Sequence, residues 1–182
     1  GSAYVFTRSG VTWTEEAKLT ASDAAAGDWF GWSVSLSGDT AVVGAANDAD
    51  GGLDSGSAYV FVGSGSSWTE QAKLTASDAA AYDWFGFQLS VSGDTVVVGA
   101  YGDDDAGDYS GSAYVFTRSG SSWTEQTKLT ASDAAAGDYF GMSVSVSGNT
   151  VVVGAVLDDD AGSNSGSVYV FEALALEQCD CA

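Results

Sequence analysis

The chain contains no histidine, and only five lysines and arginines stand against 25 aspartates and glutamates in its 182 residues. Without imidazole, neither a Ser-His-Asp nor a Cys-His catalytic group can be assembled from this sequence, and the usual mixed Cys/His zinc site is excluded as well. A formal net charge of −20 argues against nucleic acid as a partner, because phosphate binding needs clustered cations. It equally opposes adsorption on anionic lipid. Divalent cations, basic partners and a salty habitat remain compatible with it. Long apolar runs are missing too: none approaches the roughly 20 residues that a membrane-spanning helix needs. Cys179 and Cys181 are the only cysteines. So close together, they do not staple a core; they suit a cross-link between chains, an anchor, a soft-metal contact or a plain linker. No Asn-x-Ser/Thr sequon occurs. The sequence opens on Gly1 and shows no leader, as expected of a mature form or a piece of a longer protein, and secretion cannot be read from it.

What the chain has in quantity is apolar and aromatic surface. Hydrophobic residues make up 45%, including six Trp, eight Tyr and eight Phe, which is too apolar for a disordered acidic tail. The length allows one domain or an array of small units, and internal repetition decides for the array. GSAYVF starts at Gly1, Gly56 and Gly111, and GSVYVF at Gly166, each 55 residues after the last. LTASDAAAGDWFG from Leu19 returns as LTASDAAAYDWFG from Leu74 and LTASDAAAGDYFG from Leu129. The units are therefore 1–55, 56–110 and 111–165, followed by a closing strand 166–171 and a non-repeat tail 172–182.

Each unit reads as four short strands, A to D. Strand A, Phe30 to Ser37, alternates Phe30, Trp32, Val34 and Leu36 with Gly31, Ser33, Ser35 and Ser37, one bulky face against one small face. A tight SGDT or SGNT turn leads to strand B, TAVVGA or TVVVGA, apolar on both sides and hence covered on both. Strand C is SAYVF. Strand D is WTEQAKLT, whose charges suit an exposed outer edge. Trp13, Trp68 and Trp123 fall in the alternation of strand D, which assigns them to packing rather than to stacking on sugars. Four-stranded antiparallel sheets in tandem predict an all-β, propeller-like array of blades. The regular period disfavours a β-sandwich, and 55 residues is long for a solenoid coil.

With Phe30-Gly31, Phe85-Gly86 and Phe140-Gly141 opening strand A, and Gly44-Ala45, Gly99-Ala100 and Gly154-Ala155 closing strand B, residues 1 to 171 resemble the FG-GAP repeat of integrin-type propellers, in its bacterial or marine extracellular version. Ala46, Tyr101 and Val156 stand where that family has proline. The resemblance implies the propeller fold and an extracellular setting. It does not choose a role, since the family includes adhesins, lectins and domains attached to enzymes. Nor can integrin calcium residues be carried over, because their loop joins the first two strands, and here that turn is too short for a cage.

Strand C occurs four times and the other strands three times, so the ends of the array are out of phase with its blades. The N-terminal C–D hairpin lacks A and B, and the C-terminal A–B–C sheet lacks D. Gly166, Ser167, Val168, Tyr169, Val170 and Phe171 are thus expected to complete a neighbour's sheet, with Cys179 and Cys181 as a covalent option. Two chains in a six-bladed ring, a head-to-tail fibre, or a segment of a longer propeller all satisfy this phase.

The B–C and D–A loops leave from one end of every blade and carry 16 of the 25 acids. Asp48, Asp50 and Asp54, Asp103, Asp105 and Asp108, and Asp158 and Asp160 are the candidate ligands. Crowded carboxylates repel, and a hard dication coordinated by oxygen relieves them, with Ca2+ preferred to Mg2+ in flexible loops. Solvated Asx turns are the plain alternative. Repeated, exposed carboxylates do not offer the two unlike environments that acid/base catalysis requires, so no enzymatic activity is expected. The sequence points to an extracellular adhesive or structural protein that self-associates and meets cell-surface proteins or glycans. A lectin-like module or an accessory part of a larger secreted protein is the alternative.

Overall fold

The structure is a computed structural model describing residues 1–64 and 66–172; Cys179 and Cys181 lie outside the described residues. All its regular elements are strands. A hairpin, β1 (Ala3–Ser9) and β2 (Thr12–Leu19), comes first. Two four-stranded sheets follow, β3 (Val34–Ser37) to β6 (Ser67–Leu74) through β4 (Thr40–Ala45) and β5 (Ser57–Ser64), then β7 (Gln88–Ser92) to β10 (Ser122–Leu129) through β8 (Thr95–Ala100) and β9 (Ser112–Ser119). The last sheet has three strands, β11 (Phe140–Ser147), β12 (Thr150–Ala155) and β13 (Ser167–Glu172). Every sheet is antiparallel in chain order, A–B–C–D in the two complete blades, C–D in the hairpin and A–B–C in the last sheet, and the blades do not close into a ring. Sheet boundaries fall between D and A, so a unit boundary at residue 55 or 110 cuts through a sheet.

The core lies between successive blades rather than inside any one of them. Val42, Ala58 and Val60 of the first blade meet Leu89, Val91, Val96 and Val98 of the second. Val97, Ala113 and Val115 of the second meet Phe140, Val146, Val151 and Val153 of the third. Strand B has an interface on each side: β8 lies between the two just described, and β4 between the first of them and a cluster with Leu19, Phe30 and the β1–β2 hairpin, which is why TAVVGA and TVVVGA are apolar on both faces.

Strand A is shorter than its alternation suggests in the first two blades. Gly31, Gly86 and Gly141 all take positive φ (96°, 89° and 88°), a left-handed step that interrupts the extended run. Phe30 to Ser33 therefore form a turn. In the third blade β11 keeps Phe140 but slips register between Phe140 and Ser143. The bulky face of strand A also behaves differently from blade to blade. Leu89 and Val91 are 5% and 7% exposed, whereas Val34 and Leu36 are 63% and 61% exposed. Each A strand packs against the A–B strands of the preceding sheet, and the β1–β2 hairpin has none. The serine face works at the same joint. Ser35 and Ser37 accept backbone N–H groups of Val91 and Gly93, and Ser90 and Ser92 accept those of Val146 and Gly148.

The FG and GA pairs meet across this joint. A Cβ added to Gly44 would collide with the carbonyl of Gly86, and one added to Gly99 with that of Gly141. The two motifs are therefore the two sides of one backbone contact between blades, close enough that only glycine fits.

Candidate functional site

The acid-rich loops converge on a lysine. In the first blade the Lys73 ammonium lies 2.7, 3.0 and 2.6 Å from carboxylate oxygens of Asp23, Asp48 and Asp50. In the second, Lys128 lies 2.8, 2.8 and 2.5 Å from Asp78, Asp103 and Asp105. The register explains the gathering. Lys73 is on β6 opposite Tyr59 on β5, and Lys128 on β10 opposite Tyr114 on β9. Each faces the B–C loop of its own sheet, which carries two of the acids, and the D–A loop that leads into that sheet, which carries Asp23 or Asp78. The Tyr59 hydroxyl donates to Asp23 and Asp48, and the Tyr114 hydroxyl to Asp78 and Asp103, at 2.7 to 2.9 Å. Each buried carboxylate also fixes its own loop: Asp48 accepts the Asp50 N–H and Asp103 the Asp105 N–H. This is an Asx turn at the start of each B–C loop.

Burial works against Lys128, but its three carboxylates outweigh that cost and raise it above the ordinary lysine value; Lys73 behaves likewise. Its bond to Lys73 holds Asp23 below the usual carboxylate range. Burial pushes Asp78 up, and Lys128 and Tyr114 more than reverse it. For both acids the folded value lies under the unfolded one. Their contribution is therefore present above the unfolded pKa and lost as pH falls through the lower folded value. Asp83 goes the other way. Burial raises it to about 6, so its stabilising share exists at low pH and disappears as pH rises through that value.

Among the described residues, the three-carboxylate sets drawn within 4.8 Å are these two, a spacing that could hold a metal ion. Of the sequence candidates, Asp48, Asp50, Asp103 and Asp105 belong to them. Asp54 and Asp108 do not: Asp54 gives its carbonyl to the Trp84 N–H and Asp108 gives its own to the Gly137 N–H. Their place is taken by Asp23 and Asp78 from the preceding D–A loop, and by the lysines. Spacing along one loop could not reveal partners 23 and 50 residues away. The recurrence of Lys18, Lys73 and Lys128 at the period of the acids was the available signal.

The third unit repeats the acids without the lysine. Asp158 is 3% exposed and accepts the Tyr169 hydroxyl, which also donates to Asp133. The charges of Asp158 and Asp133 push Asp160 up. Lys18, at the corresponding position of β2, has no acid set and lies over the Tyr4 ring, 5.6 Å from its centre. A second reciprocal pair accompanies it. Glu70 and Glu125 accept both the N–H and the hydroxyl of Ser22 and Ser77 in the D–A loop of the preceding unit; Glu15 and Ser132 are the matching ends without each other.

The expected assembly segment is in place as a strand. Ser167 to Glu172 pair with β12 in the register that β5 and β9 hold in their blades. Phe171 and Tyr169 pack edge-on to Phe140, while Val168 and Val170 are 68% and 64% exposed. Their counterparts Ala58, Val60, Ala113 and Val115 are buried under the next blade. Of the three tryptophans on strand D, Trp123 donates its ring N–H to Gln71 of the neighbouring blade at 2.8 Å. Trp13, which has no such neighbour, is 63% exposed.

A model of the FG-GAP repeat family matches residues 13–61, 68–116 and 123–171. Each match runs from strand D through A and B to strand C of the next sheet, so it spans the blade joint described above. No curated protein matches the chain.

Proposed function

The chain belongs to the FG-GAP repeat family, whose members are typically extracellular, and from that membership we propose that it is an extracellular adhesive or structural module, without catalytic activity, that associates with further copies of itself. The observation that supports this is the complementarity of its two end faces. Tyr4, Phe6, Val34 and Leu36 are exposed at one end, and Val168 and Val170 at the other. Their equivalents one repeat further in are buried in the cores between successive sheets. Each end also has a groove where strands are wanting. One of about 390 Å³ is bounded by Ala3, Val5, Val34 and Leu36, and one of about 610 Å³ by Val115, Leu129, Val170 and Phe171. A second copy supplies both fillings when its β2 pairs with β13, which then stands in the place of that copy's β1. Gly1 to Phe6 and Gly166 to Phe171 differ at one position, Ala3 against Val168. That exchange brings Lys18 to Asp133, Asp158 and Asp160, and Glu15 to Ser132. Full burial of an aliphatic side chain contributes roughly 1.5–3 kcal/mol, so several at once favour association.

Sedimentation velocity on the chain tests this. We expect association that deepens with concentration and weakens about tenfold or more in Lys18→Glu. A compact monomer at every concentration, as expected if a flanking unit of a longer polypeptide covers these faces instead, sinks the reading.

Divalent cations enter the same proposal. Ca2+ suits the oxygen-rich loops, yet in the first two blades it must compete with an ammonium already seated among the carboxylates. Ca2+ at millimolar concentration is therefore expected to stabilise Lys73→Gln and Lys128→Gln more than the parent in thermal melts. Equal shifts in all three count against a metal site at these clusters. Cell-surface proteins or glycans are the proposed outer partners.

A further inference from the structure

The three units are nearly alike, and the middle one departs from its sisters at three places by carrying tyrosine. Position by position the units read Gly27, Tyr82, Gly137; Ala46, Tyr101, Val156; and Asp54, Tyr109, Asn164. The three tyrosines come from two different loops, yet the fold gathers them around Trp84. Ring centres lie 6.1 Å away for Tyr82, 5.1 Å for Tyr101 and 6.1 Å for Tyr109, the last two stacked at 12° and 18°. Tyr139 closes the group edge-on to both Tyr101 and Tyr109.

Backbone conformation makes this grouping more than incidental packing. Tyr82 and Tyr109 have positive φ, 72° and 59°, whereas Trp84 shares its positive φ with Trp29 and Tyr139 at the same repeat position. A bulky residue there is a genuine outlier, and such strain concentrates at functional sites. The sister units place Gly27, Gly137, Asp54 and Asn164 at the equivalents of Tyr82 and Tyr109, the residue types that tolerate this region. The fold is built without the tyrosines twice, so holding the blade together does not require them. Nor do their neighbours hide all of them: Tyr82 is 47% exposed and Tyr109 39%, while Tyr101 is half-buried.

The charge around the rings selects the ligand. Asp104 accepts the Tyr109 N–H at 2.7 Å, Asp108 adjoins Tyr109 in sequence, and the Asp54 loop bonds to Tyr82 and Trp84 through backbone groups. Aromatic faces attract cations, the more so beside carboxylates. The chain has five cationic side chains, and all five already lie over rings elsewhere: Arg8 on Trp13, Lys18 on Tyr4, Lys73 on Tyr59, Arg118 on Trp123 and Lys128 on Tyr114. None is left for the rings around Trp84, of which Tyr82 and Tyr109 are the exposed ones. We propose that Trp84 with Tyr82, Tyr101, Tyr109 and Tyr139 forms a docking surface for arginine side chains of a basic partner protein. Guanidinium is the cation that stacks best on aromatic faces. This names the chemistry of an outer partner and does not depend on self-association.

The test is titration of the full chain with acetylated tri-arginine amide at physiological ionic strength, followed by tryptophan fluorescence and calorimetry. The comparison protein carries Tyr82→Gly, Tyr101→Val and Tyr109→Asn, the residues of the sister units. It is expected to melt no earlier than the parent, because strain is relieved, and to bind about tenfold or more weakly. Tri-lysine should bind the parent less well than tri-arginine. Affinities within about twofold of each other in parent and variant mean diffuse charge attraction and overturn the proposal. So does binding of a neutral oligosaccharide, in place of the peptide, that the variant abolishes. Tyr82→Gly alone serves the same comparison should the triple variant not fold.

Discussion

Replacing Lys128 by methionine is expected to cost roughly 3 kcal/mol of stability, and Lys18→Met less than about 0.5 kcal/mol, although both lysines occupy the same repeat position. The difference is what surrounds them. Lys128 is the sole cation among Asp78, Asp103 and Asp105, and the Asp103 side chain is only 5% exposed. Removing the ammonium leaves that carboxylate paired with a phenol and beside two like charges, while the methionine stem still fills the space. Losing one partner of a buried ion pair typically costs 3–5 kcal/mol. The exposed Asp78 and Asp105, at 45% and 59% of their side-chain surface, soften the loss. Thermal denaturation should show a drop of roughly 6–12 °C for a chain of this size. Asp103→Asn added to Lys128→Met should return part of it, since the stranded charge is then gone. A Lys128→Met protein that melts within about a degree of the parent would show that solvent, not the lysine, holds these acids apart.

The blades were legible in the sequence because their determinants are local and repeated. Alternation, the SGDT turn and the two-sided apolar run of strand B each occupy fewer than ten residues, and three copies in register confirm each other. The acid rim was legible for the same reason, since antiparallel topology alone places the B–C and D–A loops at one end. What occupies the rim was not. Lys73 reads as a surface charge on an edge strand, and only the pairing of β5 with β6 brings it to Asp23, 50 residues away. Asp54 and Asp108 read as ligands by proximity in sequence, but their loops turn at Asp54 and Tyr109, whose φ values are 56° and 59°, and use their carbonyls to hold the D–A loop of the next unit. The aromatic group around Trp84 depends on which residues break the repeat and on where two loops meet. The first fact is in the sequence; the second needs the fold.

Gly99→Ala and Gly154→Ala should separate the two roles of the blade joint. Both glycines end strand B, and neither needs a left-handed backbone, so propensity alone gives each change a similar small effect. Their surroundings differ. At Gly99 an added Cβ would meet the carbonyl oxygen of Gly141 from the next blade, a backbone atom that no rotamer can move aside; at Gly154 it would meet the Ser143 hydroxyl of its own sheet. Gly99→Ala is therefore expected to force the second and third blades apart and to cost roughly 3 kcal/mol, at the upper end for overpacking a close contact. Gly154→Ala should cost less than about 1 kcal/mol, because a serine side chain can turn away. Equal losses in chemical denaturation would mean that the FG and GA pairs do not form the joint assigned to them. Gly154→Ala should nonetheless have its own large effect. If a second copy adds to this end as proposed, its Gly31 carbonyl arrives where that of Gly141 sits on Gly99. The extra methyl then meets backbone again, this time between chains. A protein of nearly unchanged melting temperature that no longer associates in sedimentation is the expected result.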